Sequence, residues 1–360
     1  MIHIVLGTKA QLIKMAPVMR ELSDRNIAYN YISTGQHKET IDDILDNFRI
    51  KKPDHQLYDG KDITSIFQMA AWSLKILYKL YAGRKEIFGS DKKGIVLVHG
   101  DTLSTVIGAL AAKFTGLKCG HVESGLRSFN LMQPFPEEIF RLMTFRLSDL
   151  MFCPGQWAAD NLKKYRGRKI DTGLNTLYDS LKKAEPAIDE IKDVVIPGSD
   201  YAVATLHRFE NVKDKNNLAK IVRHIENISK KIKVVFILHK ITEKNLKKYG
   251  LIGRLEILPG LELRPRYDYF RFIKLLKSSE FVISDGGSNQ EECSYLGKPV
   301  LLFRNVTERN EGIGENAVLS KFDPAVIDDF TENYRTYAKE PVKADKTPSA
   351  VIADSCMEFV

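Results

Sequence analysis

Short apolar runs that stop at glycine or at a polar pair recur along the whole chain, each followed by a longer stretch with apolar residues every three or four positions. Runs of this length between turn formers read as buried strands, and the longer stretches as crossover helices. The pattern predicts strands at residues 2–6, 28–33, 95–98, 117–122 and 150–153, with a strand-end turn at 171–176. A second series follows at 201–205, 234–238, 255–258 and 281–284, with 300–303 as the last strand. Helices are expected from Thr8, from Ile41, and over 63–80, 105–114, 217–228 and 270–276. Thr8 with Gln11, and Ser288 with Glu291, have capping-box spacing. The aromatics Phe67, Trp72 and Tyr78 of the long third helix are expected in the core.

The fold class is therefore α/β with parallel sheets. A chain of 360 residues is long for one core, and the pattern breaks into alanine, proline, glycine and charge between Lys182 and Ser199. A domain linker is placed there. No apolar run reaches membrane-span length and the chain enters a strand at once, so a cytoplasmic location without membrane contact is expected. Cys119, Cys153, Cys293 and Cys356 have no metal or redox spacing, which predicts reduced thiols and no bound metal. The net charge of +8 comes from scattered lysines without a nucleic-acid-binding signature. Such a field still favours an anionic small ligand.

Ligands of open α/β sheets bind beyond the carboxyl ends of the strands. Asp101 and Glu123 stand at such ends, and Glu137 opens a helix after Pro134-Phe135-Pro136, with Arg141 one turn later. Crowded carboxylates can divide acid and base roles between them. The structural alternative has Asp101 capping a helix, Glu123 paired with Arg127, and Glu137 and Glu138 complementing a helix dipole. Asp285-Gly286-Gly287-Ser288 ahead of a helix is the best anion cradle in the chain, unless it is an ordinary turn. There Glu291 suits the cap and Glu292 a ribose diol. Gly7 precedes another helix start, with Lys9 and Lys14 as candidate phosphate contacts or simple surface lysines.

GTKAQLIKMAPV, STGQHKETIDD, LVHGDTLST, GHVESGLRS, PFPEEIFR, LHRFENV, SDGGSNQEECSYLGKPVLLFR and TERNEG occur in one order from residue 1 to about residue 320. Together they resemble the bacterial and archaeal UDP-N-acetylglucosamine 2-epimerases. The resemblance implies two Rossmann-like parallel-sheet domains facing across a cleft, a glycosyltransferase-B-like fold. It places the domains at 1–185 and 186–345, with a helix at 346–360 packing back on the first. It implies a homodimer that needs no cofactor, no metal and no NAD. The implied reaction inverts C2 of a UDP-sugar by elimination and re-addition of UDP through a 2-acetamidoglucal, for surface polysaccharide precursors.

By the same resemblance Asp101, Glu123, Glu137, His207 and Lys14 are catalytic. Lys9, Arg141, Phe272, Gly286, Gly287, Ser288, Glu292 and Arg309 bind substrate, with Phe272 against uracil and Glu292 at the ribose. In the non-hydrolysing branch a second substrate molecule activates, at Gln36, Arg208 and His239. The chain departs from the family at Lys9-Ala10-Gln11, where arginine, proline and glutamate are usual, and at the phosphate loop, where the hydroxyl has moved by two places. Residues 260–267 are longer than usual, and Asn310 replaces a common proline. The alternatives are a hydrolysing relative that releases N-acetylmannosamine, an epimerase of a deoxy or diacetamido UDP-sugar, a glycosyltransferase of the same fold, or a UDP-sugar-binding protein without catalysis. The retained Ile13-Lys14-Met15-Ala16-Pro17 favours the non-hydrolysing branch.

Overall fold

The computed structural model describes residues 1–36, 41–60, 66–90, 93–131 and 135–360. Residues 63–65 of the expected third helix, the side chain of Phe67, Pro134 and the 37–40 part of STGQHKETIDD lie outside them. The chain divides into two compact units, Met1–Lys183 with Ala344–Val360, and Ala184–Lys343.

The first unit holds β1 (Ile2–Leu6), β2 (Tyr29–Ser33), β3 (His55–Gln56), β4 (Ile95–His99), β5 (Lys118–Val122), β6 (Leu150–Cys153) and β7 (Arg168–Asp171). They form one parallel sheet in the order β3-β2-β1-β4-β5-β6-β7. β1 and β4 are buried at every position, as strands covered by helices on both faces must be. The strand order reverses at β1 and β4, where Ile2 faces Ile95. Crevices form at such reversals, beyond the strand ends.

Tyr78, expected in the core, is 72% exposed. Trp72, Ile76 and Leu80 stand four residues apart and take the buried stripe of the Ile66–Ala82 helix, which turns Tyr78 outward. The linker expected between Lys182 and Ser199 contains the boundary between the two units, which falls after Lys183. The Leu177–Ile188 helix runs on past it, because Leu181, Ala184 and Ile188 keep an apolar side at helical spacing and all are buried. The Pro348–Cys356 helix packs on the Lys9–Asp24 helix within the same unit. Ser349 donates from its N–H (2.7 Å) and its hydroxyl (2.5 Å) to Asp179.

The second unit holds β8 (Tyr201–Leu206), β9 (Lys233–Leu238), β10 (Leu261–Pro265), β11 (Phe281–Ser284), β12 (Val300–Leu302) and β13 (Ala317–Leu319). Their order is β10-β9-β8-β11-β12-β13, again all parallel, with the reversal at β8 and β11. Residues 255–258 are not the strand expected there. Ile252–Glu256 is helical, and the strand is β10. β10 carries the buried Leu261 and Arg264, whose guanidinium donates to Val195 O at 2.6 Å and to Glu262 at 2.7 Å. It ends in Pro265, which an edge strand tolerates because one side of its backbone needs no partner. β12 is followed by β13, too short to stand out from its surroundings in sequence.

Candidate active site

Both strand-order reversals gather the chemistry. At the first, the Lys9–Asp24 helix follows β1 through Gly7 and Thr8. Its capping box forms as the spacing predicts: Gln11 N donates to Thr8 Oγ1 at 3.3 Å, and Gln11 Oε1 accepts from Thr8 N at 3.1 Å. The same oxygen accepts from Gly7 N at 2.9 Å. These N–H groups are thereby used internally and are not offered to an anion. The Gln11 amide nitrogen reaches across to His99 O (2.7 Å) and Thr105 Oγ1 (2.9 Å), tying the end of β1 to the end of β4. Lys9, at the first helical position, is buried.

Glu123 follows β5 in the left-handed region, φ 64°. A non-glycine residue persists there only where its surroundings hold it, at a cost of about 1–3 kcal/mol. What holds Glu123 is a set of side chains from three other parts of the chain. Lys14 forms a buried ion pair with Oε1. Asn175 Nδ2 donates to the same oxygen at 2.5 Å, and His99 Nε2 lies 3.7 Å from Oε2. Gly100 makes room: its φ is 68°, and a Cβ there would stand 3.2 Å from Glu123 Oε2.

Asp101 is held by Arg141, whose NH2 donates to Oδ2 at 2.5 Å. Arg141 in turn rests on Glu138 at 3.2 Å. Burial works against ionised Glu138, but Arg127, the Ser128 N–H and Arg141 outweigh it and hold its pKa below the usual carboxylate range. Glu137 opens the same helix, half-buried, on the face that carries Arg141. His121 Nε2 lies 2.7 Å from Gly100 O. Burial drives its pKa down to about 4 against the pull of the Gly100 carbonyl, Glu123 and Asp101, so the ring is neutral at pH 7. The structural alternative fails for Asp101 and Glu123, although Glu137 and Glu138 do stand in the first turn of their helix. Thr102, not Asp101, caps the Leu103–Thr115 helix, and Arg127 pairs with Glu138, not Glu123.

At the second reversal Asp285, fully buried at the end of β11, accepts from His207 N (3.0 Å), Arg208 N (3.0 Å) and Asn211 Nδ2 (2.9 Å). This clamps the loop after β8. The His207 ring stacks on His239 with centroids 4.5 Å apart, and His239 Nε2 lies 3.1 Å from Thr205 Oγ1. Burial lowers the His207 pKa, opposed by Asp285, which lies 3.5 Å from Nδ1, and assisted by Arg208 and Arg266.

The Gly287–Leu296 helix has Gly286 as its N-cap and no side-chain cap. Ser288 is therefore not the cap, and Glu291 does not close a capping box. The Gly286 N–H turns back to Ser284 Oγ at 3.0 Å, which starts the helix one residue ahead of Ser288. Glu291 instead faces Arg309 at 2.9 Å and accepts from Tyr295 at 3.2 Å. An uncapped helix start presents free N–H groups and the positive end of the dipole. A Cβ on Gly286 would meet His207 Cε1 at 3.0 Å, and one on Gly287 would meet Arg309 Nε at 2.8 Å. Glycine at both positions is what lets the histidine and the arginine close on this backbone. Gln290 anchors the Thr307-Glu308-Arg309 segment, donating to Arg309 O and Glu311 O and accepting from Thr307. Glu292 is buried and accepts from Asn289 at 2.9 Å.

A family profile described as UDP-N-acetylglucosamine 2-epimerase matches residues 20–348. The chain belongs to that family. The epimerase of Methanococcus maripaludis is 36% identical over 343 residues, covering 91% of this chain and 89% of that protein. That of Bacillus subtilis is 36% identical over 325 residues, covering 86% and 80%. A crystal structure of the Methanocaldococcus jannaschii enzyme with UDP-GlcNAc and UDP superposes with a TM-score of 0.81 at 27% identity, covering 98% of this chain and 99% of that one. The Neisseria meningitidis enzyme bound to UDP-GlcNAc gives 0.81 at 29% identity, covering 99% and 97%. The fold is thus glycosyltransferase-B-like, and this member of the family is an isomerase.

In this epimerase the activator candidates fall in both units. Gln36 accepts from Ser104 at 2.7 Å in the first. Arg208 and His239 lie in the second, where Arg208 reaches Glu308 at 3.3 Å. Burial alone would raise Glu308, yet Arg304, Arg208 and Arg309 hold it at about 2. Phe272 is half-buried against two apolar clusters that include Leu275 and Val282. Residues that the sequence did not mark as functional candidates are His99, His121, Asn175 and Glu138, the last read only as complementing a helix dipole. Each adjoins a singled-out residue or turn, but no spacing distinguishes a positioning side chain from its neighbours. Among the described residues no group of three or more His, Cys, Asp or Glu could hold a metal ion, and no helix is long and apolar enough to cross a membrane. All four cysteines are free and buried.

Proposed function

We propose that this epimerase interconverts UDP-N-acetylglucosamine and UDP-N-acetylmannosamine without hydrolysis. The observation that carries the reading is the strained, buried Glu123 held between Lys14 and Asn175, with Asp101 fixed separately by Arg141. A carboxylate takes the C2 proton, the C2–H electron pair forms the C1–C2 double bond of the 2-acetamidoglucal, and the C1–O pair leaves with UDP. Return of UDP to C1 and of a proton to the opposite face of C2 gives the epimer. Such chemistry needs acid/base groups on both sugar faces and a clamp for the departing diphosphate. Asp101, Glu123 and Glu137 supply the first. The Gly286, Gly287 and Ser288 helix start, Arg309, Lys9 and His207 supply the second. Glu292 takes the ribose, and Phe272 contributes its partly exposed ring to the uracil wall.

Gln36, Arg208 and His239 receive a second UDP-sugar as activator. The protein acts in the cytoplasm, needs no cofactor, and feeds surface polysaccharide synthesis. Leu74, Tyr78 and Tyr81, all exposed along one face of the Ile66–Ala82 helix, support a homodimer. Proton NMR with UDP-N-acetylglucosamine in deuterated water tests the reaction. Two UDP-sugars carrying deuterium at C2 are expected. Free N-acetylmannosamine with UDP would move the protein to the hydrolysing branch, and no exchange at C2 would overturn the reading.

A further inference from the structure

The second unit has a cavity of about 670 Å³, a size typical of small-molecule sites. One wall is a single face of the Lys215–Ser229 helix, where Asn217, Lys220, His224 and Asn227 follow at three- and four-residue steps. Across from it stand Lys321, Phe322 and the first turn of the Pro324–Asn333 helix. Asn211 and Asn305 complete the lining. None of the candidate catalytic or substrate-binding residues lines it.

Charge in the lining is unbalanced. Its two acids pair with cations outside the cavity, Glu210 with Arg208 at 3.1 Å and Asp328 with Lys231 at 3.2 Å, although each of those cations also serves a second carboxylate and Asp328 still acts on His224. Its three cations, Lys220, Arg223 and Lys321, have no carboxylate partner among the described residues. Three cations against two acids leave the lining with a net positive charge, and a concave surface focuses that potential. Arg223 adds a planar fork matched to phosphate oxygens. The asparagine amides can both donate and accept, as sugar hydroxyls require. Phe322 and Ile327 add apolar surface for a ring.

Two further observations single the cavity out. Lys321 and Phe322 are consecutive non-glycine residues in the left-handed region, φ 49° and 57°. Strain of this kind gathers at ligand sites. Asn211, besides lining the cavity, donates to the Asp285 carboxylate that clamps the His207 loop. An occupant touching Asn211 therefore bears on that loop.

We propose that this cavity is a second ligand site, built for a small hydroxylated phosphate ester and separate from the helix start at Gly286 and Gly287. It does not depend on the reaction proposed above. The test uses the full chain, carbon-13 labelled at histidine and saturated with UDP. Glucose 6-phosphate, AMP and inorganic phosphate are titrated separately while the ring signals of His224 and His207 are followed. A saturable His224 shift with glucose 6-phosphate or AMP is expected, weakened tenfold or more by Arg223→Gln and by Lys220→Gln. Both variants alter exposed helix positions, and an unchanged response of His207 to UDP certifies their fold. Tighter binding of AMP identifies a nucleotide site, and tighter binding of glucose 6-phosphate a sugar phosphate site. A His224 signal that no ester moves, that inorganic phosphate moves equally well, or that moves alike in both variants overturns the proposal. Failure of His207 to respond to UDP would instead count against the diphosphate clamp.

Discussion

Lys14 and Glu123, 109 residues apart in the chain, form an ion pair with side chains only 4% and 7% exposed. The lysine comes from the second turn of a helix after β1 and the acid from the end of β5, so the pair exists only once the sheet has brought the two strand ends together. A charge left alone in such a place is costly. Removing one partner of a buried pair typically costs about 3–5 kcal/mol, whereas replacing both by apolar groups can be nearly neutral.

Lys14→Met should therefore lower the unfolding free energy by about 3 kcal/mol in a denaturant titration. The double variant Lys14→Met with Glu123→Leu should recover most of that loss and remain inactive. Equal stability loss in both would mean that the pair is not what the fold depends on here.

Gly287→Ala places a methyl group where Arg309 Nε now approaches to 2.8 Å. The arginine must withdraw, and its contact with Glu291 changes. The expected result is a UDP dissociation constant raised by about tenfold, equivalent to about 1.4 kcal/mol, with the fold intact. Isothermal titration calorimetry with UDP measures this, and an unchanged constant would remove Arg309 from the diphosphate clamp.

His207 titrates below the ordinary histidine value because burial disfavours the imidazolium. A diphosphate at the Gly286 and Gly287 helix start would add negative charge beside the ring and raise that pKa. Histidine NMR against pH, with and without UDP, should show the upward shift. An imidazolium formed in this way could assist UDP departure, so a His207 pKa indifferent to UDP would argue against a role for the ring at the phosphates.

Asp179 has its pKa pushed up to about 6, chiefly by burial and against the hydrogen bonds from Ser349. Its folded value lies above its unfolded value, so the folded state binds this proton more tightly. The resulting stability is fully present below the unfolded pKa and is lost as pH rises through 6. Its size is at most about 3 kcal/mol. Asp179→Asn keeps an acceptor for Ser349 without the ionisation. The variant should gain stability relative to the parent as pH goes from 4 to 8, in thermal melts across that range. A constant difference would place the Asp179 titration elsewhere.

The placement of many candidate residues was legible before the structure, and the places where reading failed share a cause. Asp101, Glu123, Gly286 and Gly287 could be placed at strand ends and at a helix start because strand ends and glycine turns are local signals. Ser288 was misplaced as a cap because its spacing to Glu291 mimics a capping box. Only the Ser284 hydroxyl, taking the Gly286 N–H, shows that the helix starts earlier. Glu138 looked like one of two equivalent acids at a helix start. Its burial beneath Arg127 and Arg141 is what separates it from Glu137.

The sequence by itself determined the α/β class, most of the strands of both sheets, the Thr8 and Gln11 cap, and the family. Period, turn residues and motif order are properties of neighbouring positions, and they survive without knowledge of what packs where. Tertiary structure alone decided that Tyr78 faces out, that the edge strand lies at Leu261–Pro265, and that Lys14, His99 and Asn175 converge on one carboxylate. Partners so far apart in sequence meet through sheet order and burial. Local pattern carries neither, because each depends on the whole set of contacts a side chain finds once the chain has closed.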